Sequence, residues 1–173
     1  MTDHFAHHLR LDQVRDGERI DLTADEPELK SIAKRLGLAS IDRLEAHVTL
    51  SKTGDLLRAE GRLVATLEQN CVVTGDPIAA HVDEPFTLLF APEPPANGPD
   101  EEIELRESDC DLVFYDGAAI DLGGAVADTL ALSLDPYPRS AAADAALKEA
   151  GVLTEGQAGP FAALAALKKG SDS

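Results

Sequence analysis

Apolar and polar residues alternate in two distinct periods along the chain. Between Ile41 and Leu67 the period is two: Leu44, Ala46, Val48 and Leu50 alternate with Arg43, Glu45, His47 and Thr49. After Lys52-Thr53-Gly54-Asp55, the residues Leu57, Ala59, Gly61, Leu63, Ala65 and Leu67 alternate with Arg58, Glu60, Arg62 and Thr66. Two such runs about a glycine-containing turn predict an antiparallel hairpin with one wet face. Cys71-Val72-Val73 extends the second strand toward the turn Thr74-Gly75-Asp76-Pro77. Ile78 to Phe90 then predicts a third strand, kinked at Pro85 and ending in Thr87-Leu88-Leu89-Phe90. His47 and His81 fall at polar strand positions without short-spaced partners, so both are expected as plain surface or packing residues.

The helical period appears twice. Leu122, Val126, Leu130 and Leu134 form an unbroken i, i+4 row, with Ala125 and Thr129 beside it and Asp128 on the opposite face. Asp121 suits the N-cap, because its carboxylate can accept from the free N–H groups of the first turn. Pro136 lacks an N–H and displaces Asp135 from helical geometry, so the helix must stop there. Pro136 and Pro138 then hold Tyr137 and Arg139 on a stiff extended strut. A proline-stopped amphipathic helix accounts for the geometry but not for those two side chains, which become candidate interaction residues. The earlier helix is marked by Asp25 as cap, Pro27 near the start, Leu29, Ile32, Ala33 and Leu36 on one face, and Gly37 as the stop.

Phe5, Leu9, Leu11 and Val14 suggest an N-terminal strand before the turn Asp16-Gly17-Glu18, and Arg19 to Thr23 suggests a second short one. Residues 91 to 111 carry Pro92, Pro94, Pro95 and Pro99, which forbid regular structure, followed by Asp100-Glu101-Glu102-Ile103-Glu104-Leu105-Arg106-Glu107. Asp111 to Tyr115 predicts a last short strand. After Arg139 the chain turns Ala- and Gly-rich and ends in a stripe of Phe161, Leu164 and Leu167. That stripe lies on a helix too short to persist alone in water, so it must dock on its own domain or on a partner. The expected architecture is α+β: an antiparallel sheet of three to five strands packed by two main helices. Residues 1–139 form a single domain with a flexible acidic loop at about 91–111, and 140–173 form a mobile C-terminal tail ending in a short amphipathic helix.

Composition adds a charge asymmetry. The 173-residue chain has a net charge of −17. Residues 1–82 balance at −4, residues 83–135 at −13, and residues 136–173 at 0. A field of that sign repels phosphate backbones and attracts basic proteins, or serves as a solvated face. Glu101, Glu102, Glu104 and Glu107 sit at its centre and are candidate contacts for a basic partner. No apolar run reaches the roughly 18 residues a membrane span requires, and the His-rich start lacks a signal-peptide core. A cytoplasmic location is expected.

Cys71 and Cys110 are too few and too far apart for a disulfide scaffold or a short-spaced zinc site. Gly123-Gly124 lacks the Lys-Ser/Thr of a phosphate loop, and neither Gly-x-Ser-x-Gly nor His-Glu-x-x-His occurs. No catalytic, cofactor or metal site is therefore assigned. The carboxylates between Glu101 and Asp111 could in principle hold Mg²⁺ for phosphodiester hydrolysis, but a proline-rich loop gives a first coordination shell poor support. A magnesium-dependent nuclease is the competing reading.

The run Ile120-Asp121-Leu122-Gly123, followed by Leu134-Asp135-Pro136-Tyr137-Pro138-Arg139, resembles the bacterial YceD-like family, named for large ribosomal RNA subunit accumulation. Further matching blocks occur in order: Leu36-Gly37-Leu38, the Cys71 turn with Pro77, Pro85-Phe86, Phe90 to Pro92, and Pro160-Phe161-Ala162-Ala163-Leu164 to Lys168. Many relatives have Cys-x-x-Cys where this chain has Cys71-Val72-Val73-Thr74, which puts any metal or redox role of that turn in question. The resemblance implies a non-enzymatic ribosome-biogenesis factor supporting accumulation or processing of large-subunit (23S) ribosomal RNA. The charge suggests how: binding a basic large-subunit ribosomal protein or a pre-ribosomal particle. Direct RNA contact is disfavoured except locally at Lys30, Lys34 and Arg35. No membrane or small-molecule partner is implied.

Overall fold

The two long alternating runs pair as expected. In the computed structural model, which describes residues 5–93 and 111–151, the order is β1 (His8–Arg10), β2 (Arg19–Thr23), α1 (Glu26–Leu36), β3 (Ser40–Thr53), β4 (Leu56–Asn70), β5 (Pro77–Pro92), β6 (Asp111–Tyr115), β7 (Ala119–Asp121), α2 (Leu122–Ser133) and α3 (Ala143–Glu149). The large sheet has the order β2-β3-β4-β5-β6, and β1 pairs with β7 in a separate two-stranded sheet. The architecture is α+β, with five strands in the main sheet and two main helices.

Strands β3 and β4 pair antiparallel from Ser40↔Glu68 to Thr53↔Leu56, leaving Gly54-Asp55 as a two-residue turn. Gly54 has φ 60, the sign that a tight hairpin demands at its first position. A bulge between Ile41 and Arg43 shifts the register by one residue. It brings Ile41 onto the buried face with Leu44, although their spacing breaks strict alternation. Leu44, Ala46, Leu50, Leu57, Ala59, Leu63 and Leu67 are at most 1% exposed. The other face is laced by exposed pairs, Asp21 with His47, Arg43 with Glu45, and Arg62 with Asp83. Such pairs set register more than stability. His81 reaches Thr66 Oγ1, so both histidines are surface residues as expected.

Strand β5 runs unbroken through Pro85. Its inward positions Ile78, Ala80, Val82, Phe86, Leu88 and Phe90 keep one phase, and Pro85 falls on the exposed parity. A proline there costs no alternation, so the predicted kink does not interrupt the strand.

The β2–β3 and β3–β4 pairs are antiparallel, but the sheet also holds a parallel pair. β6 lies parallel to β5, from Leu88↔Asp111 to Pro92↔Tyr115. Parallel neighbours need a return connection of a dozen or more residues, and the interval 93–110 supplies that length. The Tyr115 hydroxyl donates to the Asp55 carbonyl at 2.6 Å.

Helix α1 begins with a reciprocal capping box. The Glu28 N–H donates to Asp25 Oδ1 at 2.9 Å, and the Asp25 N–H donates to Glu28 Oε2 at 2.7 Å. It ends at Gly37 in the left-handed region, with the Leu38 N–H returning to the Ala33 carbonyl. Helix α2 is capped by Asp121, whose Oδ1 accepts the Gly124 N–H at 2.9 Å and the His7 N–H at 3.1 Å. Its burial is wider than the predicted row. Leu122, Val126 and Leu130 are fully buried, and Gly123 and Ala127 are buried as well.

The chain divides into two compact units, residues 1–69 with 79–136, and residues 70–78 with 137–173. The first holds the large sheet, α1, α2 and the β1–β7 pair. The second holds the Cys71 turn and α3. Within the stretch expected as the C-terminal tail, residues 143–149 form α3, with Ala143 fully buried. An alanine-rich run has helix propensity enough to form once one residue finds a packing site. The acidic residues Glu101, Glu102, Glu104 and Glu107 and the stripe Phe161, Leu164 and Leu167 lie outside the described residues.

Candidate functional site

Strand β4 ends in a turn organised around one sulfur atom. The Cys71 N–H donates to the Asp76 carbonyl at 2.8 Å, and the Gly75 N–H donates to the Cys71 carbonyl at 2.9 Å. Gly75, at φ 78, takes the left-handed position that lets so short a loop close. Inside it, Cys71 Sγ accepts the Thr74 N–H at 3.5 Å. The thiol is 3% exposed.

The proline strut is fastened to this same turn. The Val72 N–H donates to the Pro138 carbonyl at 2.9 Å, and the Ser140 N–H donates to Cys71 Sγ at 3.3 Å. The missing N–H groups of Pro136 and Pro138 leave the strut few donors, so these contacts use its available carbonyl and the first N–H beyond Arg139. Tyr137 is 73% exposed, Val72 is 54% exposed, and Arg139 is exposed. Tyr137 and Arg139, singled out by sequence, are thus displayed together, while Val72 was passed over as a strand extension. The helix exit is fixed one step earlier: the buried Gln69 donates from Nε2 to the Asp135 carbonyl at 2.9 Å.

Hydrogen bonding favours the thiolate. The Thr74 hydroxyl and then the Ser140 N–H bring the Cys71 thiol from 9.0 down to about 6, against the opposing effect of desolvation. The Ser140 hydroxyl is buried without a hydrogen-bond partner among the described residues. The arrangement makes Cys71 a latch: its sulfur accepts one N–H from its own turn and one from Ser140, far along the chain, and so joins the turn to the strut. Among the described residues no three His, Cys, Asp or Glu side chains gather as a metal site.

The basic residues considered for RNA contact are largely engaged. Lys30 pairs with Glu26 at 2.5 Å, and Arg35 pairs with Asp128 at 3.2 Å. The remaining large exposed apolar residues, Phe114 at 50% and Leu132 at 77%, were not anticipated. A signal existed for one of them. Leu132 falls on the Asp128 side of α2, where an apolar residue has no core to face.

Fold and site together define a small acidic α+β protein whose most prominent exposed features are apolar and anionic. A family model described as large ribosomal RNA subunit accumulation protein YceD matches residues 59–168. The chain belongs to that family, which is named for accumulation of the large ribosomal subunit's RNA. The matched span contains the blocks that carry the resemblance, apart from Leu36-Gly37-Leu38 and Gly37's helix end. No curated protein and no solved structure matches the chain. Among the described residues no helix is long and apolar enough to cross a membrane.

Proposed function

We propose that this protein supports large-subunit ribosomal RNA without catalysing a reaction, by holding a basic ribosomal protein or a pre-ribosomal particle until assembly. The observation that carries this reading is the −13 balance of residues 83–135, which lie wholly inside the family match. A surface of that sign raises the encounter rate with a basic protein and opposes a phosphate backbone. Glu101, Glu102, Glu104 and Glu107 contribute to that field, and Tyr137 and Arg139 offer a second contact of mixed character. The partial neutralisation of Lys30 and Arg35 by their own ion pairs favours a protein partner over RNA.

Attraction between solvated charges is screened over about 8 Å at physiological salt, so the complex should weaken steeply as salt rises. Affinity purification from cells at low and high salt tests the reading. Free large-subunit ribosomal proteins recovered at low salt and lost at high salt support it; naked precursor RNA without basic protein overturns it. Depletion of the protein should lower large-subunit RNA, and an unchanged subunit profile would remove the biogenesis role. Mg²⁺-dependent cleavage of precursor RNA, abolished when Glu101, Glu102 and Glu104 become Gln, would replace it with the nuclease.

A further inference from the structure

The large sheet ends on β6, and among the described residues no strand pairs with its outer edge. Beside it lies a groove enclosing about 600 Å³. The buried side chains of Leu88 and Phe90 reach its base, β6 forms one side, and α2 forms the other with Gly124, Asp128 and Leu132. Phe114 and Leu132, one from each side, are, among the described residues, the two large apolar ones of this unit left most open to solvent. An open strand edge beside an apolar groove is a template for an incoming strand, which would satisfy the free backbone groups and seat a side chain in the groove.

The charge around the groove selects the incoming chain. Among the described residues, Asp111, Asp121 and Asp128 line it against Arg35. Arg35 is already held by Asp128, and Asp111 and Asp128 are exposed. The lining is therefore net negative, on the most acidic third of the sequence. An acidic peptide or a phosphate backbone would meet like charge there, whereas a cationic chain is steered in and held in register.

We infer that this groove docks an extended segment of a basic protein along β6, with an apolar side chain between Phe114 and Leu132 and lysine or arginine near Asp111 and Asp128. The inference rests on the reading above that the partner is basic, and assigns it a place on the fold.

Two labelled peptides of about eight residues, the length of a strand, test it by fluorescence anisotropy: one alternates Leu and Lys, the other Ser and Lys. Both carry the same charge, so their difference isolates the apolar anchor. The Leu/Lys peptide should bind wild type about tenfold or more tighter, the worth of one buried apolar side chain. Phe114→Ser with Leu132→Ser should erase that preference, and circular dichroism should show the fold retained, since both residues are exposed. Wild type that binds the two peptides alike, or binds neither because the chain itself fills the groove, overturns the inference. So does a preference that survives in the double variant, or a wild-type dimer that the double variant splits. Peptide preference with unchanged large-subunit RNA on depletion would leave the groove standing and remove only the biogenesis role.

Discussion

Helix α2 places Leu122, Val126 and Leu130 at full burial, while the Cys71 turn leaves Val72 and Tyr137 more than half exposed. Around α2 the fit is so close that a Cβ on Gly123 would lie 1.8 Å from the Phe5 carbonyl oxygen. Around Cys71 the chain is located by a few directed donors, two of them aimed at a single sulfur. Burial scales with area and tolerates little change in volume. Directed N–H contacts fix a backbone path while leaving side chains free to face outward. The first arrangement suits a scaffold and the second suits display. Substitutions should separate the two regions by size and by dependence on conditions.

The largest effect is expected from Leu130→Ala, which should lower the unfolding free energy by about 2 to 4 kcal/mol through lost transfer energy and the cavity left behind. Urea titration measures it, and a loss below 1 kcal/mol would mean that α2 is less tightly packed than its burial indicates. Gly123→Ala should follow, at about 1 to 3 kcal/mol destabilising. The sign is the diagnostic: glycine to alanine inside a helix ordinarily stabilises. Here the obstacle is the backbone of Phe5, held in place by the Leu122 N–H to His7 carbonyl bond, so the N-terminal segment has to move.

Cys71→Ala should act with a pH dependence that α2 variants lack. The thiol lies at about 6 in the folded chain against an ordinary 9.0. Because folding depresses it, its contribution is fully present above the unfolded value and is lost as pH falls through the folded one. The stability gap between wild type and variant should therefore widen from pH 6 to pH 9, read by urea titration at each pH. Thiolate absorbance in the folded protein should half-titrate near 6. A gap that stays constant across this range would make the latch a matter of packing alone.

Tyr137→Ala with Arg139→Ala should have the smallest effect on stability, within about 0.5 kcal/mol, as for exposed substitutions generally. Large-subunit RNA in cells carrying the double variant should nonetheless fall. A marked drop in melting temperature would instead make the strut's side chains structural and weaken the contrast between the regions.

Much of the scaffold was legible because its signals are local. The α1 capping box, Gly37 as a stop, the Gly54 turn, the Asp121 cap and the Leu122-Val126-Leu130 row each rest on residues a few positions apart. The hydrogen bonds of those segments are formed largely within them. Tyr137 and Arg139 could be singled out because proline restricts its neighbours wherever it occurs. Phe114 could not, since whether a residue of a five-residue strand is covered depends on what lies beside it. The parallel placement of β6 was equally out of reach, because the short apolar run from Leu112 to Tyr115 carries no signal of strand direction.

The sequence alone therefore determined the hairpin, the two main helices with their caps, the buried parity of the long strands and the acidic third, since periodicity and backbone chemistry act over a turn or two of chain. Tertiary structure decided the partners: β1 with β7, β6 parallel to β5, Ser140 on the Cys71 sulfur, and Gly123 beneath the Phe5 carbonyl. Such contacts join residues far apart in sequence. Their selection depends on the combined burial and hydrogen bonding of the folded chain, which no short window of residues contains.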